Sequence, residues 1–220
     1  MKKEFKKFIV LGVLFIFPIV IYLFFASGKN NFAKLPVLTE SVMDLDPFTH
    51  LRDDIVVLND HITVLCYWGS DLNLKKGDAF NLNQKIYKRF YQFKDFQFVA
   101  LITNDQESQV KFLEEELSKG AGTDLVNWKF MKGSSLDIEN HFKSLKTSLF
   151  LDKKHSSPYV FIIDRDGSLR GRDDDEDIGM LYGFNSQSVA EINNKMVDDV
   201  KIILAEYRLA LKKNDSLFYE

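Results

Sequence analysis

Few residues in this chain could do redox or metal chemistry, and the first is sulfur. Cys66 is the single cysteine of the 220-residue sequence. It sits in "HITVLCYW", a β-branched apolar run with the pattern of a strand. The run breaks at Gly69, Ser70 and Asp71. Leu72, Asn73 and Leu74 then lead into a lysine-bearing, helix-like segment. Many thiol-redox domains carry a pair of reactive cysteines at such a strand-to-helix turn, but "GSDLNLKKG" has none. Exchange needs an attacking and a resolving sulfur, and one cysteine excludes an intrachain disulfide. Cys66 alternates with Val64 and Trp68, which reads as a thiol packed inward as a small hydrophobe. A reactive or metal-binding thiol would need exposure and a lowered pKa.

The remaining polar groups give weaker signals. His155 precedes a strand-like run, and as a lone imidazole it suits a metal only with further ligands such as Asp71. His50, His61 and His141 lie far apart without ligand spacing, and read as surface or loop residues. The block Asp173, Asp174, Asp175, Glu176 and Asp177 reads as a solvated acidic loop. Its carboxylates could take a divalent cation, but the EF-hand order is missing; a basic partner surface or pairing with Arg170 and Arg172 are the other readings. No Gly-rich phosphate loop appears, and "GSD" is not the G-x-S-x-G of a nucleophile elbow. A net charge of −3 without a basic aromatic stripe gives no sign of nucleic-acid binding.

The elements that must position these groups follow from periodicity. "MKKEFKK" precedes 19 uncharged residues, Phe8–Ala26, about the length that spans a bilayer core. Pro18 is tolerable in such a span, and the run exceeds the apolar core of a cleaved signal peptide. Lys2, Lys3, Lys6 and Lys7 predict a cytoplasmic N-terminus, with the rest outside the cytoplasm, periplasmic in a Gram-negative cell. The expected organisation is a basic N-terminus (1–7), a transmembrane anchor (8–26), a tether (27–34), a folded domain (35–213) and a tail (214–220).

Within the domain, "DIVVLND", "HITVLCYW", "FQFVALIT" and "VNWKFM" read as strands. Helices are expected from about Lys76 to Phe93 and from Asn104 or Asp105 to Gly120. Others are expected after an N-cap at Ser134 or Ser135, and over the C-terminal amphipathic stretch. "PYVFIID" and "SLRGR" flank an Asp-Gly hairpin turn. Strands separated by helices, closed by a hairpin, predict an α/β fold of thioredoxin-like plan: a mixed central sheet flanked by helices, after one N-terminal transmembrane helix.

Three segments in order carry a family resemblance. "FQFVALITND", "NWKFMKGSSLDI" and above all "HSSPYVFIIDRDGSLRG" resemble the SCO/SenC family, membrane-anchored thioredoxin-fold proteins of cytochrome c oxidase assembly. That family uses a C-x-x-x-C loop and a histidine for copper or thiol chemistry. The resemblance puts His155 at the histidine and Gly69–Leu74 at a loop whose sulfurs are absent. It also makes Pro158 a candidate for the cis-proline of thioredoxin-fold enzymes, with cis and trans both open. It implies a binding or assembly factor for respiratory or envelope redox proteins, with no cofactor, no thiol oxidoreductase activity and a degenerate active site. Two alternatives stand beside it: a copper or redox protein using Cys66 and His155 with a partner, and a structural envelope protein.

Overall fold

The computed structural model describes residues 2–26, 34–52 and 54–217. The tether expected at 27–34 therefore lies outside the described residues except for Lys34, as does the tail beyond Leu217. The chain forms two compact units, one up to Ala33 and one from Lys34 onward.

In the first unit, α1 (Lys2–Ala26) carries Pro18 inside it. Its stretch Phe5–Phe25 is long and apolar enough to cross a membrane, by length and composition. Phe8, Leu14 and Phe24 are exposed along it.

The second unit is built on a mixed sheet. β3 (Ile62–Gly69), β4 (Phe96–Thr103) and β5 (Trp128–Gly133) run parallel, and β6 (Tyr159–Ile163) is antiparallel to β3. Short strands complete the order: β1 (Val37–Thr39), β7 (Leu169–Arg170), β6, β3, β4, β5, β2 (Thr49–His50). β10 (Phe184–Asn185) also pairs with β6. The β6–β7 connection is the expected Asp-Gly hairpin, with Gly167 at φ +71°.

Alternate residues of each strand enter opposite cores, the period-two consequence of the pleat. Val64, Cys66, Trp68, Phe98, Ala100, Trp128 and Ile162 face one core. That core is covered by α2 (Lys76–Leu82), by α4 (Glu107–Ala121) through Val110, Leu113 and Leu117, and by α7 (Val197–Leu217) through Val200 and Leu204. Leu65, Tyr67, Val99, Leu101, Phe161 and Ile163 face the other, covered by α5 (Ser135–Ser144) through Ile138 and Phe142. After α2 the helix widens into a π-helical turn at Asn83–Tyr87 and ends as α3 (Lys88–Phe90). A similar π turn, Ile192–Met196, separates α6 (Val189–Glu191) from α7.

Several expectations are corrected. "DIVVLND" (54–60) is not a strand. Its backbone bonds to side chains instead: Leu58 N–H donates to Asp44 Oδ1 and Val57 C=O accepts from Gln97. α4 begins after Gln106, not Asn104 or Asp105, and stops at left-handed Gly122 (φ +65°), not Gly120. Ser134 is the N-cap of α5, forming a capping box with Asp137. α7 continues past residue 213, to Leu217.

The acidic block is a hairpin rather than a free loop, with Glu176 and Asp177 in its turn. β8 (Arg172–Asp175) pairs with β9 (Gly179–Leu181) as a hairpin. Asp175 is buried there, 2.7 Å from Lys195 Nζ, which also pairs with Asp177 at 2.7 Å. Asp173, Asp174 and Glu176 are exposed. Arg172 joins Asp199 at 2.8 Å and Asp175 at 3.7 Å, while Arg170 turns to Asp164 and Glu206.

His50 and His141 are buried, not surface residues. His141 lies on the inner face of α5, where Tyr67 Oη meets its Nδ1 at 2.7 Å, and among the described residues its Nε2 has no hydrogen-bond partner. Burial pushes its pKa down to about 4, against a smaller upward pull from Asp44 and the Met43 backbone. The unfolded chain therefore binds more protons than the folded one between pH ~6.5 and ~4, so stability falls as pH drops through that window. Urea unfolding should show a loss on the order of 3 kcal/mol from this group between pH 7 and 4. His141→Gln should be less stable at pH 7, yet lack most of that acid-dependent loss.

Candidate functional site

β3 ends where the chain before β6 crosses it, and the two segments form a tight seam. Gly69 has φ +61°, and a Cβ there would run into the Lys154 carbonyl and the His155 backbone. Only glycine meets both demands without strain. Ser70 N–H donates to Lys154 C=O at 2.9 Å, and Ser157 N–H donates to Tyr67 C=O at 2.9 Å. Lys154 Nζ reaches Asp71 Oδ2 at 2.6 Å, a bond that holds the Asp71 carboxyl below its usual range. Gln106, just before α4, closes the other side. Its Nε2 donates to Gly69 C=O at 2.6 Å and its Oε1 accepts from Leu72 N–H at 2.9 Å. The predicted loop Gly69–Leu74 is thus a turn running into a 3₁₀ helix, Leu72–Lys75. Ser70, Asn73 and Leu74 are exposed on it, while Gly69 and Leu72 are buried.

The turn hands the chain to a buried lysine. Lys75 is 6% exposed, and its Nζ lies 3.3 Å from Asp78 Oδ2 and 3.1 Å from Ser157 C=O. Asp78 is 5% exposed. A buried ion pair offsets its desolvation only when further hydrogen bonds complete it, and the Ser157 carbonyl supplies one. The pair therefore ties the start of α2 to the segment before β6.

Cys66 is fully buried in β3, between Ala100 of β4 and Val160 of β6. Burial pushes its thiol well above the ordinary range, and Asp78 adds to this while Lys75 opposes it. Such a thiol is neutral at any physiological pH and a poor nucleophile. His155 has a left-handed backbone, φ +56°, and its Nδ1 lies 3.1 Å from Glu139 Oε1 on α5. Cys66 belongs to the core on one side of the sheet, whereas α5 and its neighbours cover the other. Enclosed and protonated, Cys66 is not available to share a copper or thiol site with His155. Among the described residues, no three His, Cys, Asp or Glu side chains gather as a ligand set. The residues present do not fit the two-thiolate, one-imidazole copper site that the family resemblance implies.

Pro158 follows Ser157 in the seam, and its peptide bond is trans, which answers the cis-proline expectation in the negative. The trans form is intrinsically favoured before proline, and the Pro158 carbonyl accepts from Ser186 N–H and Oγ. The structure thus brings Gly69–Leu72 together with the residues around His155 and Pro158. It leaves the acidic block elsewhere, with Asp175 paired to Lys195 and Arg172 and Asp177 to Lys195.

Sequence reasoning missed Lys75, Asp78, Gln106 and Glu139. Lys75 had a legible signal: it shares the helical stripe of Ala79, Leu82 and Ile86, all buried. Glu139 had none, because its meeting with His155 depends on where α5 docks.

The domain has the thioredoxin-like α/β fold: a mixed central sheet flanked by helices. Within that class it has the fold of SCO1/SenC family proteins. A SCO1/SenC family lipoprotein from Bacillus anthracis str. Ames superposes with a TM-score of 0.56 at 16% identity, over 78% of this chain and 99% of that one. BsSco, described as a member of the Sco family of cytochrome c oxidase assembly proteins with a disulfide switch, superposes at 0.54 and 14% identity, over 78% and 98%. No family model matches the chain, and no curated protein matches it.

The buried pair should be tested by deleting its cation. Lys75→Met leaves Asp78 buried and unpaired, and equilibrium unfolding should show a loss of about 3–5 kcal/mol. The double variant Lys75→Met/Asp78→Leu should recover most of that loss; if it does not, the pair does not govern the stability of the seam.

Proposed function

We propose that this chain is a membrane-anchored, extracytoplasmic SCO-like protein that acts by binding, as an assembly factor for respiratory or envelope redox proteins, without the family's thiol or copper chemistry. The observation that carries this reading is the enclosure of Cys66 in the core while His155 pairs with Glu139 of α5, together with a Lys75–Asp78 pair beside a turn that has no sulfur. The fold shared with SCO1/SenC proteins supports the assembly role. The apolar helix with its preceding lysines supports a single anchor with a cytoplasmic N-terminus.

A copper or redox role through Cys66 and His155 would require an exposed thiol, and Cys66 is enclosed with its proton held tightly. A purely structural envelope role is the remaining alternative, and a partner screen separates it. Under the proposal, purification of the full chain from its own membranes should bring down components of respiratory assembly or envelope redox proteins.

Isothermal titration of the full chain in detergent with Cu(I) and Cu(II) should give no tight one-to-one binding. Turnover of a test disulfide should not exceed the rate of a Cys66→Val control. Stoichiometric copper lost in His155→Ala, or Cys66-dependent turnover, would refute the proposal.

A further inference from the structure

A cavity of about 400 Å³ opens against α5 beside the seam, with His155 in its wall. That volume lies in the range of ligand sites, about 300–1,000 Å³. Phe142 of α5 and Leu149, Phe150 and Leu151 of the following segment make it largely apolar, and Glu139 and His155 form its polar end.

His155 is held unusually firmly for a side chain at a partly exposed site. Its left-handed backbone is a conformation that non-glycine residues adopt at a cost of about 1–3 kcal/mol. Hydrogen bonds on both sides maintain it: His155 N–H donates to Asp152 C=O at 3.0 Å, and Lys154 C=O accepts from Ser70. The Glu139 carboxylate lies 3.1 Å from Nδ1. With Nδ1 facing Glu139, Nε2 is the ring atom left for a ligand, and among the described residues it has no hydrogen-bond partner.

The charges at this end are largely satisfied internally. Glu139 serves His155, and Asp152 accepts from the Lys154 and Ser156 N–H groups and from Ser156 Oγ. Lys143 stands exposed at the rim, where solvent keeps it. The site therefore suits an apolar body with one polar tip rather than an ion.

The apolar surface also continues beyond the cavity. Phe150 is 84% exposed, and Leu136, one turn before Glu139 on α5, is 62% exposed. A free small molecule would leave that surface wet, whereas a chain segment would cover it. The same helix already holds one such pair: Tyr67 Oη on His141 Nδ1 at 2.7 Å, with the Phe142 ring edge-on to Tyr67 at 4.9 Å.

We propose that the cavity receives a tyrosine side chain from a segment of a partner protein, its ring among Phe142, Leu149, Phe150 and Leu151 and its hydroxyl on His155 Nε2. The inference rests on the reading of the chain as a binding protein and names the chemistry of its partner. Histidine-¹⁵N NMR of the full chain in detergent, titrated with N-acetyl-tyrosinamide, N-acetyl-phenylalaninamide and p-cresol, tests it. The tyrosine probe should shift the His155 Nε2 signal saturably and bind about five- to tenfold tighter than the phenylalanine probe, the worth of one hydrogen bond.

His155→Asn keeps a residue that tolerates the left-handed backbone, and should equalise the two probes while leaving weak apolar binding. Phe150→Ser should weaken both. No saturable shift at about 20 mM probe, far above the roughly millimolar affinity expected of so small a ligand, or equal affinities for the two probes, overturns the inference. Binding of p-cresol as tight as that of the tyrosine probe would assign the cavity to free phenols and overturn the peptide source. These outcomes are independent of copper binding and disulfide turnover, so failure here leaves the functional reading standing, and failure there is seen separately.

Discussion

A strand sends consecutive side chains to opposite faces, and β3 is buried at all eight of its positions. Neither face can be exchanged for the other without turning the core out, since a one-residue slip would carry Tyr67 and Leu65 into the space built for Cys66 and Trp68. The assignment of Cys66 to the side of α2, α4 and α7 follows from this. So does the pairing of Tyr67 with His141 under α5. His155, in the segment that crosses the end of β3, has Glu139 of α5 as its charged neighbour.

The seam at the end of β3 shows how a turn of this fold can be held without cysteine. Its parts act at different depths. At the surface, Lys154 and Asp71 form a half-exposed pair of the kind that adds little net stability. In the middle, backbone bonds and the two-ended Gln106 amide fix the path of the chain. Deepest lies Lys75, whose ammonium satisfies both Asp78 and the Ser157 carbonyl. A buried pair of this sort adds little net stability over a well-packed apolar alternative, but losing one member is costly. Its role is to fix register between the start of α2 and the segment before β6, the two pieces whose meeting defines the site.

Much of the fold was legible from periodicity. The runs that became β3, β4 and β6 are continuous and apolar because both faces are covered, and the capped helices announced themselves through Ser134 and the amphipathic C-terminal stretch. The errors came where side chains compete with the backbone ladder. "DIVVLND" has strand-forming residues, but Asp44 and Gln97 take its hydrogen bonds. The aspartate run looks like a solvated loop until Lys195 arrives from later in the chain and, with the neighbouring Arg172, neutralises Asp175. His141 looks like an exposed helix residue until Tyr67 is placed beside it.

The residues alone determined the sulfur count, the apolar N-terminal run and the order of strands and helices, because these depend on composition and on contacts near in sequence. Tertiary structure decided what those residues can reach. The trans peptide at Pro158, the lysine–aspartate pair beneath the sulfur-free turn and the imidazole–carboxylate pair of His155 and Glu139 all join segments distant in the chain or constrained by such junctions. The physical reason is that the docking of α5 and the crossing of the segment before β6 are set by burial of whole faces, which no local pattern of residues encodes.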